Sequence, residues 1–203
     1  MSTIKNKQNF ILDLDQTIIS GETREELASL RNSIGQKELN AKIKKYDYSD
    51  MEEYYKIFER PHLQEFLDYL FENFNVSVWT AASKDYALFI IQNIIIKNKS
   101  TERKLDWIFY SYHCTKSNEK YNEDKDLNML WDVYKLPGYS KSNTVILDDN
   151  IYVYNTQPKN CIRIKQFKFK NKKSYTDTVL IDMIPMLDEL KKSKNVRIIV
   201  GRQ

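Results

Sequence analysis

Short apolar runs that do not alternate with polar residues recur along this chain, and amphipathic stretches separate them. Asn9 to Leu14, Val76 to Thr80, Trp107 to Tyr112, Thr144 to Leu147 and Asn160 to Ile164 each read as a buried strand. Residues 22–45 carry helical spacing instead: Leu27, Leu30 and Ile34 share one face, Leu39 and Ile43 continue it less regularly, and Gly35 is placed to divide the helix. Met51 to Glu59 reads either as a strand or as an irregular crossover. A helix is expected from Arg60-Pro61, with proline in its first turn and Leu63, Phe66, Leu67, Leu70 and Phe71 as its apolar stripe. Ser83 is placed to cap a helix reaching about Asn98. The polar segment from 113 to Asp124 reads as a loop, and Lys125 to Tyr134 as a short helix or turn ended by Pro137-Gly138. A last helix is expected over Thr176 to Leu190, kinked at Pro185. Strands alternating with helices predict an α/β fold whose central, mostly parallel sheet is covered on both faces.

The strand ends carry the candidate chemistry. Phe10-Ile-Leu-Asp-Leu-Asp-Gln-Thr17 ends an apolar run in two acids spaced two apart, so Asp13 and Asp15 point the same way from extended backbone. Like charges held that close repel, and folding avoids them unless a cation or substrate uses them. Thr144-Val-Ile-Leu-Asp-Asp149 repeats the pattern, and Trp79-Thr80-Ala81 and Lys125-Asp126-Leu127 lie between the two. Ligands of open parallel sheets bind outside the carboxyl ends of the strands, where Asp13, Thr80 and Asp148 are all expected. Acid pair, Thr, Lys and acid pair in that order read as a magnesium-dependent phosphoryl-transfer enzyme.

Composition narrows the class. At 203 residues, 41% hydrophobic and 30% charged, the chain falls among globular proteins, and four Gly with four Pro argue against a loop-rich sandwich. A formal charge of +4 does not by itself indicate a polyanion partner. Cys114 and Cys161 make neither a disulfide framework nor a zinc spacing and are expected to be reduced. Met1 to Asn9 is polar with no signal-like apolar region, and Leu88 to Ile96 is too short to span a bilayer. An intracellular protein, nuclear or cytoplasmic and not secreted, with no membrane partner, is the expectation.

These residues resemble a known family. Asp13-Leu-Asp-Gln-Thr17 resembles the DxDxT signature of the haloacid dehalogenase superfamily, and Arg60-Pro-His-Leu-Gln-Glu-Phe-Leu67 resembles a helix of its small C-terminal-domain phosphatases, the NLI-interacting-factor-like phosphatases. Trp79-Thr80-Ala81, Lys125-Asp126-Leu127 and Leu147-Asp148-Asp149 resemble the family's later motifs in order, and Thr178 through Pro185, containing Asp182, its closing helix. The resemblance implies a Rossmann-like three-layer fold: a single domain over residues 1–203, with an insertion at about 20–55 after the first strand. It also implies a phosphatase for phosphoserine and phosphothreonine proteins such as the RNA polymerase II C-terminal repeats. Three departures stand out. Gln16 replaces the usual Glu, Asp149-Asn150 replaces Asn-Ser-Pro, and residues 20–50 look helical where the family carries a small β-stranded insertion.

The resemblance assigns Asp13 as the nucleophile that forms an aspartyl phosphate, and Asp15 as general acid and then base. Thr80 and Lys125 are assigned to the phosphoryl oxygens. Mg2+ is expected on Asp13, the Asp15 main-chain carbonyl and Asp149, with Thr17 and Asp148 behind these ligands. Taken singly, each residue has an ordinary reading: an Asp at a strand end caps a turn, a threonine hydroxyl is commonplace there, and a lysine is usually solvated. His62 and His113 read as structural. Two rival functions stay open: a phosphatase for a small metabolite or a nucleic-acid 3′-phosphate, and a non-catalytic binding module of the same fold. A phosphorylated protein or peptide is the expected partner, and nucleic acid is not. Lys165 to Lys173 holds five lysines interleaved with Phe167 and Phe169, which reads as a solvated loop or hairpin or else as a basic patch for an anionic partner.

Overall fold

Side chains alternate across a strand, and Phe10, Ile11 and Leu12 are all fully buried, so the first strand must be covered on both faces. The computed structural model, which describes residues 7–51, 54–97, 99 and 101–202, has this arrangement. Strand β1 (Asn9–Leu12) is the centre of a five-stranded parallel sheet. Phe10 and Leu12 join one apolar cluster with Phe66, Val78, Ile90 and Leu187, whereas Ile11 joins another with Trp79, Cys114, Leu130 and Cys161. Two helical layers thus sandwich one sheet, as expected for a Rossmann-like α/β fold.

After β1 the chain builds a second sheet. Strand β2 (Ile19–Thr23) runs into helix α1 (Arg24–Ile34) through Thr23, whose hydroxyl accepts from the Glu26 backbone while the Glu26 carboxylate accepts from the Thr23 N–H. Gly35, at a φ of 84°, ends α1 and starts α2 (Gln36–Ile43), so the predicted division at that glycine is present. Strands β3 (Tyr48–Met51) and β4 (Tyr55–Glu59) then complete an antiparallel sheet ordered β2-β4-β3. The helical reading of 20–50 therefore needs correction. A helical pair is present, but both flanks are strands, and the segment is a three-stranded sheet carrying helices between its first two strands. Part of the Met51 to Glu59 reading, at residues 52 and 53, lies outside the described residues.

The helix expected from Arg60-Pro61 is α3 (Leu63–Asn73), which begins two residues after Pro61. His62, with a left-handed φ of 65°, makes the preceding turn, so neither it nor Pro61 is inside the first helical turn. Arg60 is fully buried. Its Nε and Nη2 donate to the Asp177 carboxylate at 2.8 and 2.9 Å, and its Nη1 donates to the carbonyls of Thr17 and Lys165 at 2.8 and 3.0 Å. One guanidinium thus ties the β1–β2 loop to the segment after the last strand.

Strand β5 (Asn75–Trp79) leads to α4 (Lys84–Ile90), capped by the Ser83 hydroxyl and continued by a π-helical turn over Ile91–Ile96; the predicted end at Asn98 lies outside the described residues. Strand β6 (Leu105–Phe109) precedes α5 (Ser111–Tyr121), where the sequence suggested a loop. The helix escapes a periodicity argument because its buried face is Cys114 and Ser117, small and polar rather than aliphatic. A π-helical turn (Met129–Val133), β7 (Thr144–Asp148), α6 (Ile151–Thr156) and β8 (Cys161–Arg163) follow. The last predicted helix is broken rather than kinked. α7 (Val179–Asp182) stops at Met183, and Pro185 falls in the first turn of α8 (Ile184–Leu190), where its missing N–H costs nothing. α9 (Val196–Val200), which the sequence pattern did not suggest, buries Val196 and Val200 against the core.

The parallel sheet is ordered β6-β5-β1-β7-β8, so the chain winds outward in both directions from β1. That reversal opens a crevice at the carboxyl ends of β1, β5 and β7. Lys165 to Lys173 forms neither strand nor freely solvated loop: Phe167 and Phe169 are buried with Tyr46 and Phe58, and the Phe58 and Phe169 rings stack at 3.6 Å. Among the described residues no helix is long and apolar enough to cross a membrane.

Candidate active site

The crevice is a cavity of about 1200 Å³ lined by Asp13, Asp15, Thr80, Lys125, Asp148 and Asp149, with Arg163 to Gln166, Lys168 and Asn171 along one wall. Asp13 is placed at the end of β1 by its backbone N–H, which donates to the Leu147 carbonyl of β7 at 3.0 Å. The next turn is tight: the N–H groups of Thr17, Ile18 and Ile19 all point at the Leu14 carbonyl, and Gln16 adopts a left-handed φ of 61°. This turn returns the Thr17 hydroxyl to Asp13 Oδ2 at 2.7 Å, within 3.2 Å of Asp149 Oδ1.

Lys125 reaches the floor from the connection after α5. Its loop is braced where the Ser117 hydroxyl accepts from the Asp126 N–H at 2.9 Å, and where Gln157 Nε2 donates to the Lys125 carbonyl at 2.8 Å. The Lys125 ammonium donates to Asp13 Oδ1 at 2.6 Å and to Asp148 Oδ2 at 2.8 Å. Burial alone would drive its proton off. The Asp13 and Asp148 charges outweigh that and hold its pKa above the usual lysine range. Asp148 is itself pushed up, chiefly by burial and then by the Asp13 charge, with Lys125 opposing. Its other oxygen accepts from the Asn150 N–H at 2.8 Å. Thr80 Oγ1 accepts from the Ala82 N–H at 3.1 Å, which leaves the hydroxyl proton free to donate into the cavity.

All the residues singled out from the sequence meet in this one cavity, apart from Thr17, which touches two of them. Asp15 stands apart in its surroundings. Its Oδ1 accepts from the Tyr86 hydroxyl of α4 at 2.7 Å, and burial, with the Asp13 charge adding to it, raises its pKa to about 6 despite that hydrogen bond. Tyr86 is the site residue that motif reading missed. Its ring packs edge-on to Tyr55 of β4 at 5.4 Å, and a side chain at Gly21 would collide with its hydroxyl, so the inserted sheet holds it in place. The signal available in the sequence was a tyrosine three residues after the Ser83 cap, on the first turn of a helix leaving the crevice.

Asp13, Asp148 and Asp149 have carboxylate oxygens within 4.8 Å of one another. The two Asp148 oxygens also accept from Lys125 and from the Asn150 N–H, and the Asp15 carboxylate, engaged by Tyr86, is outside the group. Three hard oxygen donors beside one ammonium suit a divalent cation.

The raised Asp15 pKa is also a stability statement. A carboxyl that binds its proton more tightly folded than unfolded loses stability as pH rises through the folded value. Between its ordinary 3.8 and about 6 the folded protein therefore weakens, by up to about 3 kcal/mol at neutral pH. In metal-free protein, Asp15→Asn is expected to melt higher than wild type at pH 8. The advantage should fade as pH falls towards 4; a difference that does not depend on pH would contradict the assignment.

The family model described as NLI interacting factor-like phosphatase matches residues 9–197. The CTD phosphatase-like protein 355R of Invertebrate iridescent virus 6 is 41% identical over 184 residues, 89% of this chain and 97% of that relative. Its namesake in Invertebrate iridescent virus 3 is 40% identical over 189 residues, 91% and 97% of the two chains. Among solved structures, the fission yeast RNA polymerase II CTD phosphatase Fcp1 bound to beryllium fluoride superposes with a TM-score of 0.52 at 17% identity, over 94% of this chain and 53% of that one, a likeness of fold.

Proposed function

Because this chain belongs to the NLI interacting factor-like phosphatase family, we infer that it is a magnesium-dependent phosphoprotein phosphatase acting on phosphoserine and phosphothreonine through an aspartyl-phosphate intermediate. The observation that carries the mechanism is the Asp13–Lys125–Asp148 arrangement at 2.6 and 2.8 Å, with a separately held carboxyl, Asp15, at the same cavity.

The two acids have different surroundings, and this divides their roles. Asp13 is held by two donors, the Lys125 ammonium at 2.6 Å and the Thr17 hydroxyl at 2.7 Å, which fix its carboxylate for attack. Asp15 is desolvated and keeps a proton to about pH 6, which suits an acid that protonates a poor alkoxide leaving group. In the first step an Asp13 oxygen bonds to phosphorus while the ester P–O bond breaks, and the Asp15 proton goes to the departing serine or threonine oxygen. In the second, Asp15 takes a proton from water as the water oxygen attacks phosphorus. This frees Asp13 and releases inorganic phosphate. Lys125 and the Thr80 hydroxyl face the equatorial oxygens, where charge accumulates in the transition state. Mg2+, held by Asp13, Asp148 and Asp149 with the Asp15 main-chain carbonyl, would supply the neutralisation that lets an anionic nucleophile approach an anionic phosphate.

An open cavity favours a macromolecular substrate over a small metabolite. Among the described residues none of α1 or α2 lines the cavity, so the helical insertion does not roof it. The test is hydrolysis of a phosphoserine peptide with and without Mg2+. Turnover should vanish with EDTA and return when Mg2+ is restored in excess. Undiminished turnover in EDTA, or hydrolysis of an aryl ester with none of any phosphopeptide, would count against the reading.

A further inference from the structure

The cavity that holds the acidic floor has a wall of opposite sign. Arg163, at the end of β8, and Lys165 and Lys168, in the strap that follows, line the same cavity as Asp13 and Lys125. Among the described residues no carboxylate lies in contact with any of these three cations, although buried Glu22 senses Lys168 through space. They are not carried on a mobile tail. The Ile164 N–H donates to the Asp148 carbonyl at 3.1 Å, the Phe167 N–H to the Gln16 carbonyl at 2.7 Å, and the Phe169 N–H to the Ser20 hydroxyl at 3.0 Å. Buried Arg60 holds the Lys165 carbonyl. The pattern of buried Ile164, Phe167 and Phe169 turns the intervening cations outward. This segment therefore presents fixed positive charge in a cavity that Asp13, Asp15, Asp124, Asp148 and Asp149 line together with Lys125.

Fixed positive charge beside an acidic floor is placed to take an anion that the floor itself does not hold. We propose that the Arg163–Lys165–Lys168 wall is a second anion subsite, which selects peptides carrying another phosphorylated residue near the scissile one. The inference rests on the phosphopeptide reading above and extends it. Three cations match a phosphate dianion better than a lone carboxylate. Nucleic acid fits less well, since it calls for a basic track across an open surface, and here the cations border a cavity whose floor is acidic.

The test compares wild type with a Lys165→Glu/Lys168→Glu variant, both positions being outside the residues assigned to the chemistry. Peptides with one phosphoserine, or with a second a few residues away on either side, are assayed for kcat/KM. They are also assayed for competition against aryl phosphate hydrolysis. The wild type should prefer a doubly phosphorylated peptide, and the variant should lose roughly tenfold on it, the ratio that about 1.4 kcal/mol represents. The singly phosphorylated peptide and the aryl ester should change less than about twofold, since exposed charges contribute little on their own. Equal treatment of both peptides by the wild type overturns the subsite. So does an equal loss on all substrates, or an oligonucleotide that competes as well as the doubly phosphorylated peptide and weakens equally in the variant. If the ester is turned over but neither peptide is, the phosphopeptide reading falls; the competition constants then still judge the wall, by whether the second phosphate tightens binding in wild type only.

Discussion

Asp13→Asn is expected to lower phosphatase turnover by roughly 10⁴-fold or more, because a neutral amide cannot take the place of the anion that bonds to phosphorus. The fold should survive the change. The amide oxygen can still accept from the Thr17 hydroxyl, now at 2.7 Å from Asp13, and Lys125 keeps its 2.8 Å contact to Asp148. Circular dichroism and a melting curve close to wild type, together with lost turnover on phosphopeptide and aryl ester alike, is the expected pair of results. Turnover within tenfold of wild type would mean that another group attacks.

Lys125→Met should be costly in two separate ways. Among the described residues Lys125 is the lysine that contacts the floor carboxylates, and removing a positioned donor to a developing oxyanion typically lowers kcat by about 10²–10³-fold. It also leaves Asp13 and Asp148, both buried, facing each other without a counter-charge. Breaking a buried pair from one side costs on the order of 3–5 kcal/mol. A markedly lower melting temperature in EDTA is therefore expected, with partial recovery when Mg2+ restores positive charge, whereas kcat should not recover. A variant as stable as wild type without metal would show that the two carboxylates do not depend on Lys125. Activity recovered by Mg2+ alone would remove the lysine from the chemistry.

How far the sequence revealed this molecule depended on whether a signal was contiguous. The central strands were legible because each is a short run buried on both faces, and their acidic ends were legible because two acids at i and i+2 are conspicuous after such a run. Asp13, Asp15, Thr80, Lys125, Asp148 and Asp149 duly line one cavity. The inserted sheet was obscured because β3 alternates between exposed and half-buried residues and has no apolar face of its own. α5 was obscured because its inner face is small: Cys114 packs into the core and Ser117 braces the loop that carries Lys125. The Tyr86–Asp15 hydrogen bond spans 71 positions in the chain, and no local pattern announces it. Phe167 and Phe169 looked like parts of a basic loop because lysines surround them. Only the partner surface of Tyr46 and Phe58 reveals them as anchors.

The central claim is that Asp13 bonds to phosphorus, and acid quench of the enzyme during turnover of a phosphopeptide with Mg2+ tests it most directly. Borohydride reduces an acyl phosphate to the alcohol, so peptide mass spectrometry should find homoserine at position 13, absent when substrate is omitted. Homoserine at another carboxylate, or rapid turnover with none formed at any carboxylate, would contradict the account.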